Sequence, residues 1–299
     1  MAINLDLLLK AYASGIFPMA DARDDPETFW VEPKTRATIP LEGFRLSRSL
    51  RKTIISNRFR VTADTDFENV IRTCAEAAAD RQETWINADI EEAFLTLHDM
   101  GLAHSVECWA SDEDDGPEKL VGGLYGLEIG RAFCGESMFS RKRDASKVAL
   151  AWLVARLKFG GFELLDCQFM TEHLASLGAV EVSQQAYVQQ LQRALQAPDH
   201  SVSAIKSPIR SSGALSGVGA AGSAAGGAGV GDGAGAAGAG AWTGGEAALS
   251  SDGSAAFEAL DKLLVKLDDA DRGAVGLLAS SGGSSSPGKL IAQLLTQTS

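Results

Sequence analysis

The chain has only four cysteines, at positions 74, 108, 134 and 167, and no two form a Cys-x-x-Cys pair. None has a histidine partner at metal-ligand spacing, so neither a zinc site nor a disulfide framework is indicated. They read as reduced, mostly buried thiols of a cytosolic protein. Positive charge is also scarce: 27 Lys and Arg face 39 Asp and Glu, a net charge of −12. Phosphate contacts need local positive charge, so such a chain is not a general nucleic-acid binder. No segment has the length and apolarity of a bilayer span, and the start Met-Ala-Ile-Asn-Leu-Asp has no basic region ahead of an apolar one. No membrane anchor or secretion signal is expected. There is no GxGxxG fingerprint, and Gly122-Gly123 is not followed by Lys-Ser/Thr, so neither a dinucleotide fold nor a phosphate loop is indicated. A coenzyme A cradle is weakly supported, by Arg141-Lys-Arg143 before a helix start. Asp112-Glu-Asp-Asp-Gly-Pro reads as a solvated turn, not a metal site.

Glycine is plentiful but uneven: most of the 32 lie beyond residue 200. Residues 201–254 are Gly/Ala/Ser low complexity, too poor in apolar surface to offset chain entropy, and read as disordered. Phe257, Leu260, Leu264 and Leu267 then recur at helical spacing, and Leu290, Leu294 and Leu295 form a smaller apolar end. The tail is expected to be loosely tethered and dispensable for chemistry; the alternative is that Phe257–Leu267 and Leu290–Leu295 fold back onto an apolar groove of the core. Residues 1–200 are rich enough in Leu, Ile, Val, Phe and Trp to bury a core.

Within that part the periodicities alternate between helix and strand. Helices are expected at about 5–13, 48–56, 67–79, 88–100 and 145–159, with capping residues Asn4 or Asp6, Ser47 and Asn87. Strands are expected at 29–31, 36–39, 60–62, 104–109, 120–129 and 132–139. Residues 181–195 mix a short strand with a final helix. The most informative run is Leu164-Leu-Asp-Cys-Gln168, a strand after the Gly160-Gly161 stop. Regular alternation puts Leu164, Asp166 and Gln168 on one face and Leu165, Cys167 and Phe169 on the other. A carboxylate and a carboxamide on one face of an apolar strand need polar partners, or else they mark a site. The alternative is an Asp166 that caps a neighbouring loop.

An ordered set of motifs surrounds this strand: Tyr12-Ala-Ser-Gly-Ile-Phe-Pro18, Thr84-Trp-Ile86, Phe133-Cys-Gly-Glu-Ser-Met-Phe-Ser-Arg141 and His173-Leu-Ala-Ser-Leu-Gly-Ala179. In this order and spacing the chain resembles the leucyl/phenylalanyl-tRNA–protein transferases over about residues 5–195. The resemblance implies an α/β protein with a short amino-terminal lobe (1–34), a GNAT-like acyltransferase domain (35–197) and a low-complexity tail (198–299) with one or two short helices. It implies transfer of leucine or phenylalanine from aminoacyl-tRNA to the amino-terminal Lys or Arg of acceptor proteins, marking them for degradation. Neither DNA nor membrane is an expected partner, and the location is cytoplasmic. Alternatives are a leucyl transferase for acidic amino termini, a coenzyme A-dependent acyltransferase, and a non-catalytic tRNA or degron reader.

Aminolysis of an aminoacyl ester needs a neutral amine, a polarised carbonyl and alignment of the two. The ester is already activated, so no metal or organic cofactor is expected. Asp166 is expected to take the amine's proton or to anchor its ammonium, and Gln168 to polarise a carbonyl or orient the amine. Glu136 and Met138 stand two apart on one strand and suit an amino-acid pocket, the acid for an ammonium and the thioether for a side chain. By resemblance Leu124, Leu150, Leu153 and Phe133 join that pocket, and Trp85 stacks the terminal adenine of tRNA. Tyr12 is placed with the tRNA contacts. Met19 stands where the family often has a second aromatic, and covers an adenine face without π overlap. Arg45, Arg48, Arg51, Lys52, Arg58 and Arg60 lie in one stretch without an acid. Arg48, Arg51 and Lys52 share a helix stripe, either a solvated face or a contact for acceptor-stem phosphates.

Overall fold

A computed structural model describes residues 2–76, 84–112, 116–196, 253–274 and 286–296. The first helix, α1 (Leu5–Ala13), is capped by Asn4, whose side chain accepts from the Leu7 amide at 2.9 Å. A hairpin-like pair follows, β1 (Phe17–Met19) against β2 (Phe29–Val31). Then come β3 (Thr35–Thr38), α2 (Arg48–Ile55), β4 (Arg60–Ala63), α3 (Phe67–Ala75) and α4 (Ala88–Asp99). Ser47 and Asn87 cap α2 and α4 as their sequence positions predict. Helix α3 stops at Ala75, short of the expected end; residues 77–79 of that expectation lie outside the described residues.

The long strands β5 (Ala103–Ala110), β6 (Lys119–Ile129) and β7 (Ala132–Ser140) form an antiparallel meander. Helix α5 (Ala145–Phe159) crosses back to β8 (Leu164–Gln168). A short α6 (Glu172–Ser176), not foreseen from periodicity, is capped by Thr171. β9 (Val180–Ser183) and α7 (Gln184–Gln196) close this part. The result is a mixed α/β protein around a seven-stranded sheet in the order β4-β5-β6-β7-β8-β3-β9. All neighbours are antiparallel except β7 and β8, which are parallel. One face of the sheet packs α2 and α5; the other packs α1, α3, α4 and α7. Gly122 permits the closeness of α5: a Cβ there would lie 2.5 Å from that of Ala145.

The tail differs from its expected loose tether. Residues 201–252 of the low-complexity stretch lie outside the described residues. Beyond them α8 (Gly253–Phe257), α9 (Ala259–Ala274) and α10 (Pro287–Leu294) are helical, and they join the α2/α5 core. Phe257 is fully buried, with its ring stacked on His104 at 4.1 Å and on Phe133 at 5.7 Å. Arg156 of α5 donates to the Phe257 carbonyl at 2.7 Å and forms a two-pronged pair with Asp261. Gly160 leaves room for the Ala256 carbonyl, where a Cβ would collide. Ile291 and Leu295 of the last segment are buried, and the Gly288 amide donates to Asn57 at 3.1 Å. The helical spacing of these apolar side chains is visible in the sequence, and it is the docked alternative that the structure shows.

Phe257→Ala therefore costs about 3 kcal/mol, the low end for a buried aromatic. Its melting temperature should fall by about 6–12 °C. An unchanged midpoint would show that the tail does not load the core.

Candidate functional site: a wedge between two parallel strands

β7 and β8 pair only at their starts, Ala132 with Leu164, Phe133 with Leu165 and Cys134 with Asp166. Beyond those three pairs both strands run on without a shared ladder. A cavity of about 640 Å³ opens there. Its walls are Glu136 to Arg141 from β7 and the turn after it, Leu165, Cys167 and Gln168 from β8 with Phe169 just after it, and Ser146, Leu150 and Leu153 from α5. Leu124 forms part of the floor, while Trp85 and His173 stand at the sides.

Two local irregularities aim side chains at the apex of this wedge. In the β6/β7 ladder Tyr125 faces Ser137 and Gly126 faces Gly135, so Glu136 is the extra residue of a bulge. A bulge re-aims the side chain it carries. On the other strand Gln168 has φ +62°. That left-handed turn breaks the alternation that places Gln168 beside Asp166: Gln168 lines the cavity and Asp166 does not. Gln168 Nε2 donates to Glu136 Oε1 at 2.9 Å, closing the gap where the ladder ends. Glu136 Oε2 is buried without a well-formed hydrogen bond; the Tyr12 hydroxyl lies beside it, close enough to stabilise the carboxylate.

Burial raises the Glu136 carboxyl from 4.5 to about 8, against the opposing effects of Tyr12 and Gln168; the nearby Asp166 charge adds to the rise. Burial lowers His173, with Lys147 adding to it. Burial raises Cys167, so its thiol is protonated at neutral pH and is no nucleophile.

Asp166 is fully buried, and its place corrects the expectation that it meets the amine. Arg36 Nε binds Oδ1 at 2.9 Å and Oδ2 at 3.1 Å, Arg36 Nη2 binds Oδ2 at 2.6 Å, and the Tyr187 hydroxyl donates to Oδ2 at 3.0 Å. The Gln168 amide donates to Oδ1 at 2.8 Å. No oxygen of Asp166 is left for a substrate. Burial alone would lower the Arg36 guanidinium, but the bonds and charge of Asp166 outweigh it and raise it.

The other expected site residues separate into two groups. Met138, Leu124, Leu150, Leu153 and Trp85 meet at the cavity with Glu136 and Gln168. Phe133 does not: it points to the opposite end of α5 and packs on Phe257. Tyr12 is buried against Phe94, too enclosed to stack a base, and faces Glu136 instead. Met19 is half-buried next to Trp85, since the Ala20 amide donates to the Trp85 carbonyl at 3.0 Å, but it does not line the cavity. Arg48, Arg51 and Lys52 are exposed on α2, away from the lining. The basic stretch is partly compensated at its end, where Arg60 pairs with Glu118 at 2.5 Å. Arg141 and Lys142 likewise pair, with Glu76 and Asp112. Arg36 was overlooked in the sequence; the signal was a lone basic residue within an otherwise uncharged strand.

Comparison with known proteins fits this organisation. The family model described as "Leucyl/phenylalanyl-tRNA protein transferase" matches residues 38–192, and that of its amino-terminal domain matches residues 1–34. A leucyl/phenylalanyl-tRNA–protein transferase of Novosphingobium aromaticivorans is 51% identical over 298 residues, 100% of this chain and 97% of its own. Those of Zymomonas mobilis and Rhizorhabdus wittichii are 58% and 59% identical over 193 and 194 residues, 64% and 65% of this chain and 70% and 76% of theirs. The chain belongs to the leucyl/phenylalanyl-tRNA–protein transferase family, aminoacyltransferases that draw on aminoacyl-tRNA.

Glu136→Gln tests the apex. In the wild type kcat/KM should rise about tenfold per pH unit and level off near the Glu136 value of about 8. The variant should lose about a hundredfold of activity together with that dependence. Folding holds the Glu136 proton more tightly than the unfolded chain does. Its contribution to stability is therefore present below 4.5 and is lost as pH rises towards about 8. The variant should consequently gain stability relative to the wild type over that interval. A pH-independent difference would place Glu136 outside a low-dielectric site.

Proposed function

We propose that the chain transfers leucine or phenylalanine from aminoacyl-tRNA to the amino-terminal Lys or Arg of acceptor proteins, and that the wedge between β7 and β8 is where the peptide bond forms. One observation carries the reading: an acid raised to about 8 sits at the apex of an apolar cavity with one oxygen that lacks a well-formed hydrogen bond. An α-ammonium has a pKa of about 7.7–8.0. Glu136 is therefore matched to take the proton of the attacking amine, which the uncatalysed reaction leaves to solvent. The neutral amine adds to the ester carbonyl. Glu136 yields that first proton to solvent, takes the second proton from the nitrogen of the adduct and passes it to the ribose oxygen as the ester C–O bond breaks, so ammonium and ester give the amide, the free tRNA hydroxyl and one released proton.

The aminoacyl side chain fits the apolar wall of Met138, Leu124, Leu150 and Leu153. Gln168 has an N–H beyond the one spent on Glu136, which can polarise the carbonyl. Trp85 offers a face for the terminal adenine, and Arg48, Arg51 and Lys52 offer phosphate contacts beyond it. Among the described residues no acid pairs with those three cations. Parallel strands that part beside a cavity also support a GNAT-like organisation of the catalytic domain. The activity belongs in the cytoplasm, with tRNA and nascent substrates, and serves to mark acceptors for degradation.

The direct test offers the purified chain radiolabelled Leu-tRNA with peptides that begin with Lys, Arg, Asp or Ala. Label should enter the Lys and Arg peptides with no metal, nucleotide or coenzyme A added. Preference for Asp would move the chain to the acidic-terminus specificity. Trp85→Ala should raise KM for Leu-tRNA by about 5- to 150-fold, the range of one lost stack, and leave peptide KM alone. Neutralising Arg48, Arg51 and Lys52 should flatten the salt dependence of tRNA binding by about 0.9 log unit per duplex phosphate contact.

A further inference from the structure

Arg36 does not line the cavity, but it binds the carboxylate two residues before Gln168, which does. It lies on β3, between β8 and β9, and is 1% exposed. Besides its three bonds to Asp166, its Nη1 donates to the Gly15 carbonyl at 3.0 Å. The rings of Phe17 and Tyr187 lie against its guanidinium carbon, each centroid 4.5 Å away. The amino-terminal lobe, β3 and α7 thus converge on one cation. That cation grips one carboxylate, and the carboxylate grips the Gln168 amide.

This chain of bonds has a consequence for Gln168. A non-glycine residue at φ +62° is disfavoured and persists only where its surroundings over-determine it. The bond from its amide to Asp166 Oδ1 supplies that restraint. A buried ion pair that served stability alone would not need its carboxylate bonded to the one amide that turns a side chain into the cavity. We propose that Arg36 is a positioning residue for aminoacyl transfer: through Asp166 it fixes the left-handed turn at Gln168 and so the Gln168–Glu136 pair. The inference rests on the reading that Gln168 and Glu136 meet the reacting groups.

Lysine keeps the charge at this position but cannot span both oxygens of Asp166 and the Gly15 carbonyl. The test measures kcat and KM for Leu-tRNA, with an Arg-initiated peptide, in full-length Arg36→Lys, Gln168→Ala and the double variant, beside their melting curves. Arg36→Lys should lower kcat by about 30- to 100-fold, the scale of a misplacement of about 1 Å. KM for Leu-tRNA should stay within about threefold. In the Gln168→Ala background Arg36→Lys should cost less than about a further threefold, because the group it positions is already gone. Wild-type kcat in folded Arg36→Lys overturns the proposal, and so does a full multiplicative loss in the double variant. A Gln168→Ala enzyme with wild-type kcat instead overturns the reading of the site beneath it. If Arg36→Lys does not fold, Tyr187→Phe removes one bond to Asp166 at nearly constant shape. It should lower kcat by about three- to tenfold at unchanged KM; an unchanged kcat there also overturns the proposal.

Discussion

The buried Arg36–Asp166 pair is the constraint around which the rest of the molecule is arranged. Two charges 1% and 0% exposed carry a desolvation penalty that only a complete set of bonds can offset. The set is complete here: Gly15, Tyr187 and the Gln168 amide join the pair itself. Removing either charge would leave the other buried and alone, at about 3–5 kcal/mol. The pair also ties together parts that are distant in sequence. It ties residues 1–34, matched by a domain model of their own, to the seven-stranded sheet.

A division of labour between the two carboxylates follows. Asp166 and Glu136 stand on adjacent strands, but their surroundings separate their chemistry. Asp166 has a guanidinium and does not line the cavity; Glu136 has an amide, an adjacent phenol and one buried oxygen without a well-formed hydrogen bond. An acid that gives and takes protons near neutral pH needs the second environment. The strand opening supplies the space, since a ladder carried further along β7 and β8 would fill the cavity with backbone.

Much of the fold was legible in the sequence because helix and strand periods are strong between residues 5 and 195. The motifs around Glu136, Met138 and Gln168 pointed to residues that the structure brings together at one cavity, the candidate site. What was hidden is non-local or irregular. Strict alternation cannot show a left-handed residue at Gln168 or a bulge at Glu136, and both reverse which side chains share a face. Arg36 looks like an ordinary strand residue until its partner 130 positions away is known. Tyr12 suits a tRNA contact and Phe133 a pocket by residue type, but Tyr12 is buried against Phe94 and Phe133 packs on Phe257. A tail with low-complexity composition conceals a few apolar side chains that fit a slot in the core.

The position of the aminoacyl group is decisive, and a crystal structure with a leucyl-adenosine analogue, amide in place of ester, shows it most directly. The leucyl side chain should lie against Met138 and Leu150 in the β7/β8 wedge. Its carbonyl should come within hydrogen-bond reach of Gln168, and its adenine should lie on Trp85. An analogue bound outside the wedge, or one contacted by Asp166 after release from Arg36, would contradict that placement.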